Sequence, residues 1–189
     1  MPYTPDIKES IPVLLKGGLI LFPTDTVWAI GCDATNKDAV ERLYQLKHKR
    51  SPENLVVLID NEKDLPKYTL QENLRSFDYI KGVHKPTTVV YENPQGVADN
   101  VPDEDGTVAI RVVKDAFVVS LIKQLGKPVL SATANAVEHN FPYTYNEIED
   151  DVKSGVDYIV KYRQEETIHH EPSSIIKWNR DGSISILRP

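Results

Sequence analysis

Two stretches of the chain place small polar groups where an apolar run stops. Leu19-Ile20-Leu21-Phe22 ends at Pro23, and Thr24, Asp25 and Thr26 follow at once. Val129-Leu130 runs into Ser131, Ala132, Thr133, Ala134 and Asn135. Hydroxyls and an amide in such places either build a polar turn or offer neutral hydrogen bonds to a phosphate or a sugar. If the chain stays extended, Ser131, Thr133 and Asn135 share one face. Two cationic features could meet the same ligand. Lys47, His48, Lys49 and Arg50 close a helical pattern. They read as a solvated turn that complements the helix dipole, or as an anion clamp for phosphates. Arg111 lies inside the apolar run Val108 to Val113. Its charge must be paired, reach solvent with its tip, or face a cavity.

Other polar groups are less telling. His169 and His170 are neighbours, and neighbours on a strand point apart, so a shared metal is not expected. Ser173 and Ser174 precede an apolar run and suit a turn or a phosphate contact. Cys32, the single cysteine, reads as a packed side chain. No P-loop, dinucleotide-binding glycine fingerprint, HExxH, paired-cysteine motif or GxSxG is present. The residues therefore point to chemistry that needs neither a resident metal nor an obvious protein nucleophile.

The elements that must position these groups follow from periodicity and punctuation. Ser10 and Pro12 look like a helix start, with Gly17-Gly18 as its stop. Thr35 or Asn36 caps "KDAVERLYQLKHK", whose Val40, Leu43 and Leu46 form an apolar stripe. "LQENLRSFDYI" reads as a helix, with Leu74, Phe77 and Ile80 on a related face. Asp115 caps "AFVVSLIKQL", which Gly126 and Pro128 end. Thr144 and Glu147 form a capping box for "YNEIEDDVKS". Strands are expected at 19–23 and in "NLVVLID", "TTVVYE", "TVAIRVV", "PVLSA", "DYIVKY", "SIIKW" and "SISIL". "NRDG" joins the last two as a hairpin. This alternation predicts one α/β domain over 1–189, with a twisted, mixed, open sheet and flanking helices. In such sheets a ligand sits beyond the carboxyl ends of strands, where both polar stretches fall.

Composition bounds the function. A net charge of −6 weighs against nonspecific nucleic-acid binding. No apolar run approaches the roughly 20 residues of a membrane span, and "MPYTPDIKES" lacks the pattern of a signal peptide. A cytoplasmic protein without membrane partners is expected.

In order, "PTDTVWAIGCDA", "LYQLKHKRSPENLVVL", "VAIRV", "KPVLSATAN" and "PSSIIKW" resemble the YrdC-like family of threonylcarbamoyl-AMP synthases. The likeness runs from about residue 8 to residue 188. It implies a twisted α/β sheet with a large cleft. It implies L-threonine, bicarbonate or carbon dioxide, and ATP as substrates, with Mg²⁺ carried on the ATP and no metal held by the protein itself. The product would be threonylcarbamoyl-AMP, released with pyrophosphate, for threonylcarbamoyladenosine formation on tRNA, so tRNA or downstream tRNA-modification proteins are the expected partners. By the same resemblance, Thr24, Thr26 and Arg111 bind threonine, and Trp28 stands as an aromatic wall. Lys47 matches the first member of a Lys-x-Arg pair that holds ATP phosphates. Thr133 and Asn135 match a Ser-x-Asn motif for the nucleotide, while Ser131 and Ser173 line the nucleotide side. Lys47, Lys49 and Arg111 are the implied catalytic cations, with Arg50 beside them.

Four positions depart from the family pattern. Lys49 stands where an arginine is usual, with Arg50 one step on. Ala29 replaces a glycine, Val83-His84-Lys85-Pro86-Thr87-Thr88 replaces a proline-glycine loop, and Val137-Glu138 replaces Ser-Gly. The resemblance is therefore to a diverged member. The alternative is a paralogue of the same fold that binds a nucleotide or RNA, such as tRNA or double-stranded RNA, without the reaction.

Overall fold

The computed structural model describes residues 1–47, 55–70, 82–135, 141–179 and 181–189. Among these, nine strands form one mixed, twisted sheet. They are β1 (Ile20–Phe22), β2 (Ala29–Asp33), β3 (Val56–Ile59), β4 (Thr87–Glu92), β5 (Thr107–Val112), β6 (Val129–Thr133), β7 (Tyr158–Ile159), β8 (Ser174–Trp178) and β9 (Ile184–Arg188). Their order across the sheet is β7-β1-β2-β6-β3-β5-β4-β8-β9. The pairs β1/β7, β3/β5 and β4/β8 are parallel, and the remaining neighbours are antiparallel. The helices are α1 (Thr4–Leu15), α2 (Lys37–Leu46), α3 (Ala116–Leu125) and α4 (Asp150–Gly155), with short 3₁₀ turns at Glu62–Lys67 and Tyr145–Glu147.

Local chemistry sets most boundaries. Asn36 caps α2 by accepting the Asp38 and Ala39 N–H groups, each at 3.1 Å. Asp115 caps α3 through the Val118 N–H at 3.0 Å, and Gly126 ends that helix at φ 70°, a left-handed value glycine adopts without steric cost. Three expectations are corrected. First, α1 begins at Thr4 and Pro12 lies inside it. Pro5 in the first turn already presets the helical φ, so Pro12 marks no start. Second, the Glu147 carboxylate does accept the Thr144 N–H at 2.9 Å, but the turn it caps ends at Glu147, and α4 starts anew at Asp150. Third, "DYIVKY" yields only a two-residue strand. The Asp6 carboxylate of α1 takes the next amides, Lys161 N–H at 2.9 Å and Tyr162 N–H at 3.1 Å, and so peels the chain off the sheet edge. The helix expected in "LQENLRSFDYI" lies outside the described residues.

The strand period of two sorts the core into two faces. On one, Leu21, Ile30, Cys32, Val57, Ile110 and Leu130 pack with Val40, Leu43 and Tyr44 of α2. On the other, Ile20, Phe22, Leu58 and Val129 pack under Ile7 and Leu14 of α1 and Phe117, Val118 and Leu121 of α3. Gly31 belongs to this second face. A Cβ there would stand 2.6 Å from the Phe22 ring, so the missing side chain is what lets that ring cross β2. Beyond the apolar patch the second face changes character. Arg111, Ser131 and Thr133 point from it into a cleft.

Candidate functional site

The cleft holds about 520 Å³ of empty space, counted out to its open mouth. Its floor is the second sheet face: Ala29, Val56, Leu58, Arg111, Ser131, Thr133 and Ile175. Its walls are Thr24, Thr26 and Val27 from the β1–β2 loop, Phe141, Pro172 and Ser173, and Arg188 of β9.

The β1–β2 loop is wired by its own hydroxyls. Thr24 Oγ1 donates to the Val27 carbonyl at 2.8 Å and accepts the Thr26 N–H at 3.0 Å. The two hydroxyl oxygens are 2.9 Å apart. Thr24 has one proton and has spent it on Val27, so Thr26 donates to Thr24. The Thr26 oxygen is then left to accept, and Arg111 Nη1 donates to it at 3.2 Å. One lone pair of Thr26 remains for a donor in the cleft, whereas the Thr24 hydroxyl is saturated. Both threonines line the cleft, but only Thr26 keeps hydrogen-bonding capacity to offer there.

Arg111 is buried, as a charged residue in an apolar strand can be only with partners. Its Nη2 lies 3.2 Å from Asp25 Oδ1, close enough for charge pairing though not aligned as a hydrogen bond. Its Nε has no hydrogen-bond partner among the described residues. Burial pushes the guanidinium pKa below the usual arginine range, while Asp25 and Asp115 pull it back up. A buried cation with an unspent N–H is suited to an anionic ligand.

A second guanidinium faces it. Arg188 Nε donates to the Ser173 carbonyl at 2.9 Å, and Nη2 donates to Ser173 Oγ at 3.2 Å. Ser173 Oγ in turn meets Thr88 Oγ1 at 3.0 Å. The Arg188 head lies 5.9 Å from the Phe141 ring centroid, within cation–π range. Burial lowers the Arg188 pKa, and the like charge of Arg111 lowers it further. Two guanidiniums on one hydroxyl-lined cleft make it locally cationic in an otherwise acidic chain.

Lys47 sits one step outside this lining. Its Nζ donates to the Thr133 carbonyl at 2.8 Å and to Asn135 Oδ1 at 2.7 Å, and it also reaches the Asn135 carbonyl. It thereby fastens the end of α2 to the end of β6. Asn135 is not on the face of Ser131 and Thr133, contrary to the extended-chain expectation. Its N–H turns back to the Thr133 carbonyl at 2.9 Å, a three-residue turn that ends the strand. Lys49, Arg50 and Glu138 lie outside the described residues.

Trp28 corrects another expectation. It is buried in the core of the first face, 5.4 Å from the Tyr145 ring centroid, and is not part of the cleft lining. Val27 and Ala29 line the cleft, and the residue between them must point away. Ala29 pairs with Phe22 and Thr133 in regular strand geometry without positive φ, so its methyl group simply narrows the floor. His169 and His170 point to different carboxylates, Glu147 at 3.7 Å and Glu166 at 3.9 Å. Asp25 was singled out only as part of the polar run after the first strand, without a role, and Phe141, Pro172 and Arg188 were not picked out from sequence. Arg188 carried a readable signal, an arginine in a β-rich stretch, the same signal that marked Arg111.

The α/β architecture with this cleft defines a class, and comparison with known proteins places the chain in it. Residues 12–189 match the profile of the Sua5, YciO and YrdC family, described as telomere recombination, and the chain belongs to that family. It is 31% identical over 153 residues to the threonylcarbamoyl-AMP synthase of Hahella chejuensis, covering 80% of this chain and 83% of that protein. Its fold matches P. abyssi Sua5 complexed with L-threonine, with a TM-score of 0.83 at 21% identity over 97% of this chain. It spans 53% of that longer chain. E. coli YciO matches with a TM-score of 0.82 at 22% identity, covering 97% of this chain and 88% of that one.

Proposed function

We propose that this chain is a threonylcarbamoyl-AMP synthase. The carrying observation is the cleft with two facing guanidiniums, Arg111 and Arg188, set among hydroxyls. The synthase name of the Hahella relative and the L-threonine in the Sua5 structure support the substrate assignment.

In this reading L-threonine binds at the Thr26 and Arg111 end. Its carboxylate pairs with the Arg111 guanidinium, and its amine donates to the Thr26 lone pair. The amine adds to carbon dioxide, or to bicarbonate with loss of water, and gives up a proton to form a carbamate. A carbamate oxygen then bonds to the α-phosphorus of ATP, the bond from that phosphorus to the bridging oxygen breaks, and pyrophosphate leaves. Ser131, Thr133, Ser173 and Arg188 hold the nucleotide side, with Lys47 and Asn135 at the phosphate end, a group to which the family resemblance would add Lys49 and Arg50. Substrates supply both nucleophile and leaving group, so the protein contributes orientation and charge. Mg²⁺ arrives on the nucleotide and shares the phosphate charge. Among the described residues the cleft lining is hydroxyls, apolar groups and two guanidiniums, with Asp25 paired to Arg111 behind it, a donor set that fits a metal riding on its substrate. The product would serve tRNA modification. Among the described residues no helix is long and apolar enough to cross a membrane.

Pyrophosphate release from ATP in bicarbonate buffer, with and without L-threonine, tests this. Threonine-dependent release together with a threonylcarbamoyl-AMP mass is expected. ATP binding without release would leave a paralogue that keeps the fold and has lost the reaction.

A further inference from the structure

Arg163 adopts φ 67°, a left-handed backbone that a long side chain adopts only under constraint. Asn93 is the other described non-glycine residue with positive φ, and asparagine tolerates that region through its short polar side chain. Arginine has no such local compensation, so its side-chain contacts must hold it. Arg163 Nη1 donates to the Thr24 carbonyl at 3.0 Å and to Asp115 Oδ2 at 3.2 Å. Its Nε donates to the Glu166 carboxylate. The other Asp115 oxygen caps α3.

One guanidinium thus joins the β1–β2 loop, the start of α3 and its own segment. The first two joints bear on the cleft. Thr24 is the residue whose hydroxyl sets Thr26, and Thr26 in turn receives Arg111. Asp115 is near enough to Arg111 to influence its charge. Without Arg163, Asp115 would be a largely buried carboxylate that competes with Asp25 for Arg111. Arg163 itself is not among the residues lining the cleft.

We infer that Arg163 is a positioning residue: it pins the Thr24–Thr26 turn and occupies Asp115, so that Arg111 stays directed at Thr26 and the ligand. Only the ligand readout below rests on the proposed function.

Arg163→Gly is the informative variant. Glycine takes φ near 67° without strain, so the backbone keeps its path while the tether is removed. Amide exchange by NMR at Thr26 and Trp28, which donate to Thr24 Oγ1 and the Pro142 carbonyl, reads the turn directly. Exchange there should accelerate about tenfold or more by local opening, with Ile30 and Cys32 in β2 unchanged and partial rescue by Arg163→Lys. By calorimetry, L-threonine should bind about tenfold more weakly while ATP stays within about twofold, since preorganisation is lost at one end only. Unchanged exchange at Thr26 and Trp28 overturns the inference. Equal acceleration in β2 also overturns it, because that marks general destabilisation. Should the wild-type protein bind no threonine, the proposed function falls, and the exchange data alone decide the role of Arg163.

Discussion

The two faces of β2, β3, β5 and β6 come from the same short segments, residue by alternate residue, yet one is sealed and the other opens into a cleft. Ile30, Cys32, Leu130, Val57 and Ile110 point to the sealed face and find α2 against them. Ala29, Ser131, Thr133, Val56 and Arg111 point the other way and line the cleft. Helices seat on a sheet by burying apolar stripes. α1 and α3 cover the second face where it offers Phe22, Leu58 and Val129. Where that face offers hydroxyls and a guanidinium, a helix would strand polar groups without partners, and the face stays open. The cleft is therefore a consequence of which residues occupy alternate positions.

Arg111→Met tests the open face most severely. Methionine keeps the length of the side chain and removes its charge and donors. Pyrophosphate release should fall at least about a hundredfold, the scale of losing a preorganised charge contact. Stability should fall as well, because Asp25 Oδ1, the oxygen that faces the guanidinium, is buried and loses its charge partner, although the side chain as a whole is 24% exposed. Activity is therefore read per folded molecule. Loss of activity through unfolding, seen as a collapsed melting transition, would instead make Arg111 a structural charge.

Ile30→Ala is the mirror experiment on the sealed face. Ile30 is fully buried, and its truncation should cost about 2–5 kcal/mol in denaturant unfolding. Activity per folded molecule should persist, because the side chain points away from the cleft. A large change in threonine affinity would show that the two faces are mechanically coupled through β2.

This division was partly legible in the sequence. "TTVVYE" is a strand over its whole length, because β-branched residues and an aromatic suit a pleated surface. Asn36, Asp115 and Gly126 punctuate helices because their chemistry acts within a few residues. Thr24, Thr26, Arg111, Ser131, Thr133 and Ser173 all reach the cleft. What escaped depends on distant pairing. Arg188 arrives there only because the β8–β9 hairpin, itself expected from "NRDG", pairs with β4, a contact that no local pattern encodes. Trp28 differs, since the alternation that aims Val27 and Ala29 into the cleft was available and places the indole on the opposite side. Asn135 was misplaced because one hydrogen bond, back to Thr133, ends the strand early.

The smallest effect probes the seal itself. Cys32 is fully buried on the closed face, and burial pushes its thiol pKa well above the ordinary range, with the charge of Asp33 adding to the shift. The unfolded chain ionises this thiol near pH 8.5, while the folded chain keeps its proton. Above that pH the native state binds more protons than the unfolded state, so stability falls as pH rises. The contribution is fully present below the unfolded pKa and is lost on the way up to the folded one. Between pH 8 and pH 10 the loss from this group should be about 1–2 kcal/mol, from the cost of about 1.4 kcal/mol per pKa unit. Tyr44, pushed up to about 12 by burial and nearby carboxylates, begins to add its own loss as pH nears 10, where the unfolded tyrosine ionises. Cys32→Ala should reduce the slope in this window by that amount, leaving the smaller part from tyrosines whose pKa is raised, whatever constant cost its small cavity brings. Urea unfolding of both proteins in reductant, at pH 8 and pH 10, measures the difference. Equal slopes would mean that the thiol ionises in the folded protein, and that water reaches the face on which α2 is packed.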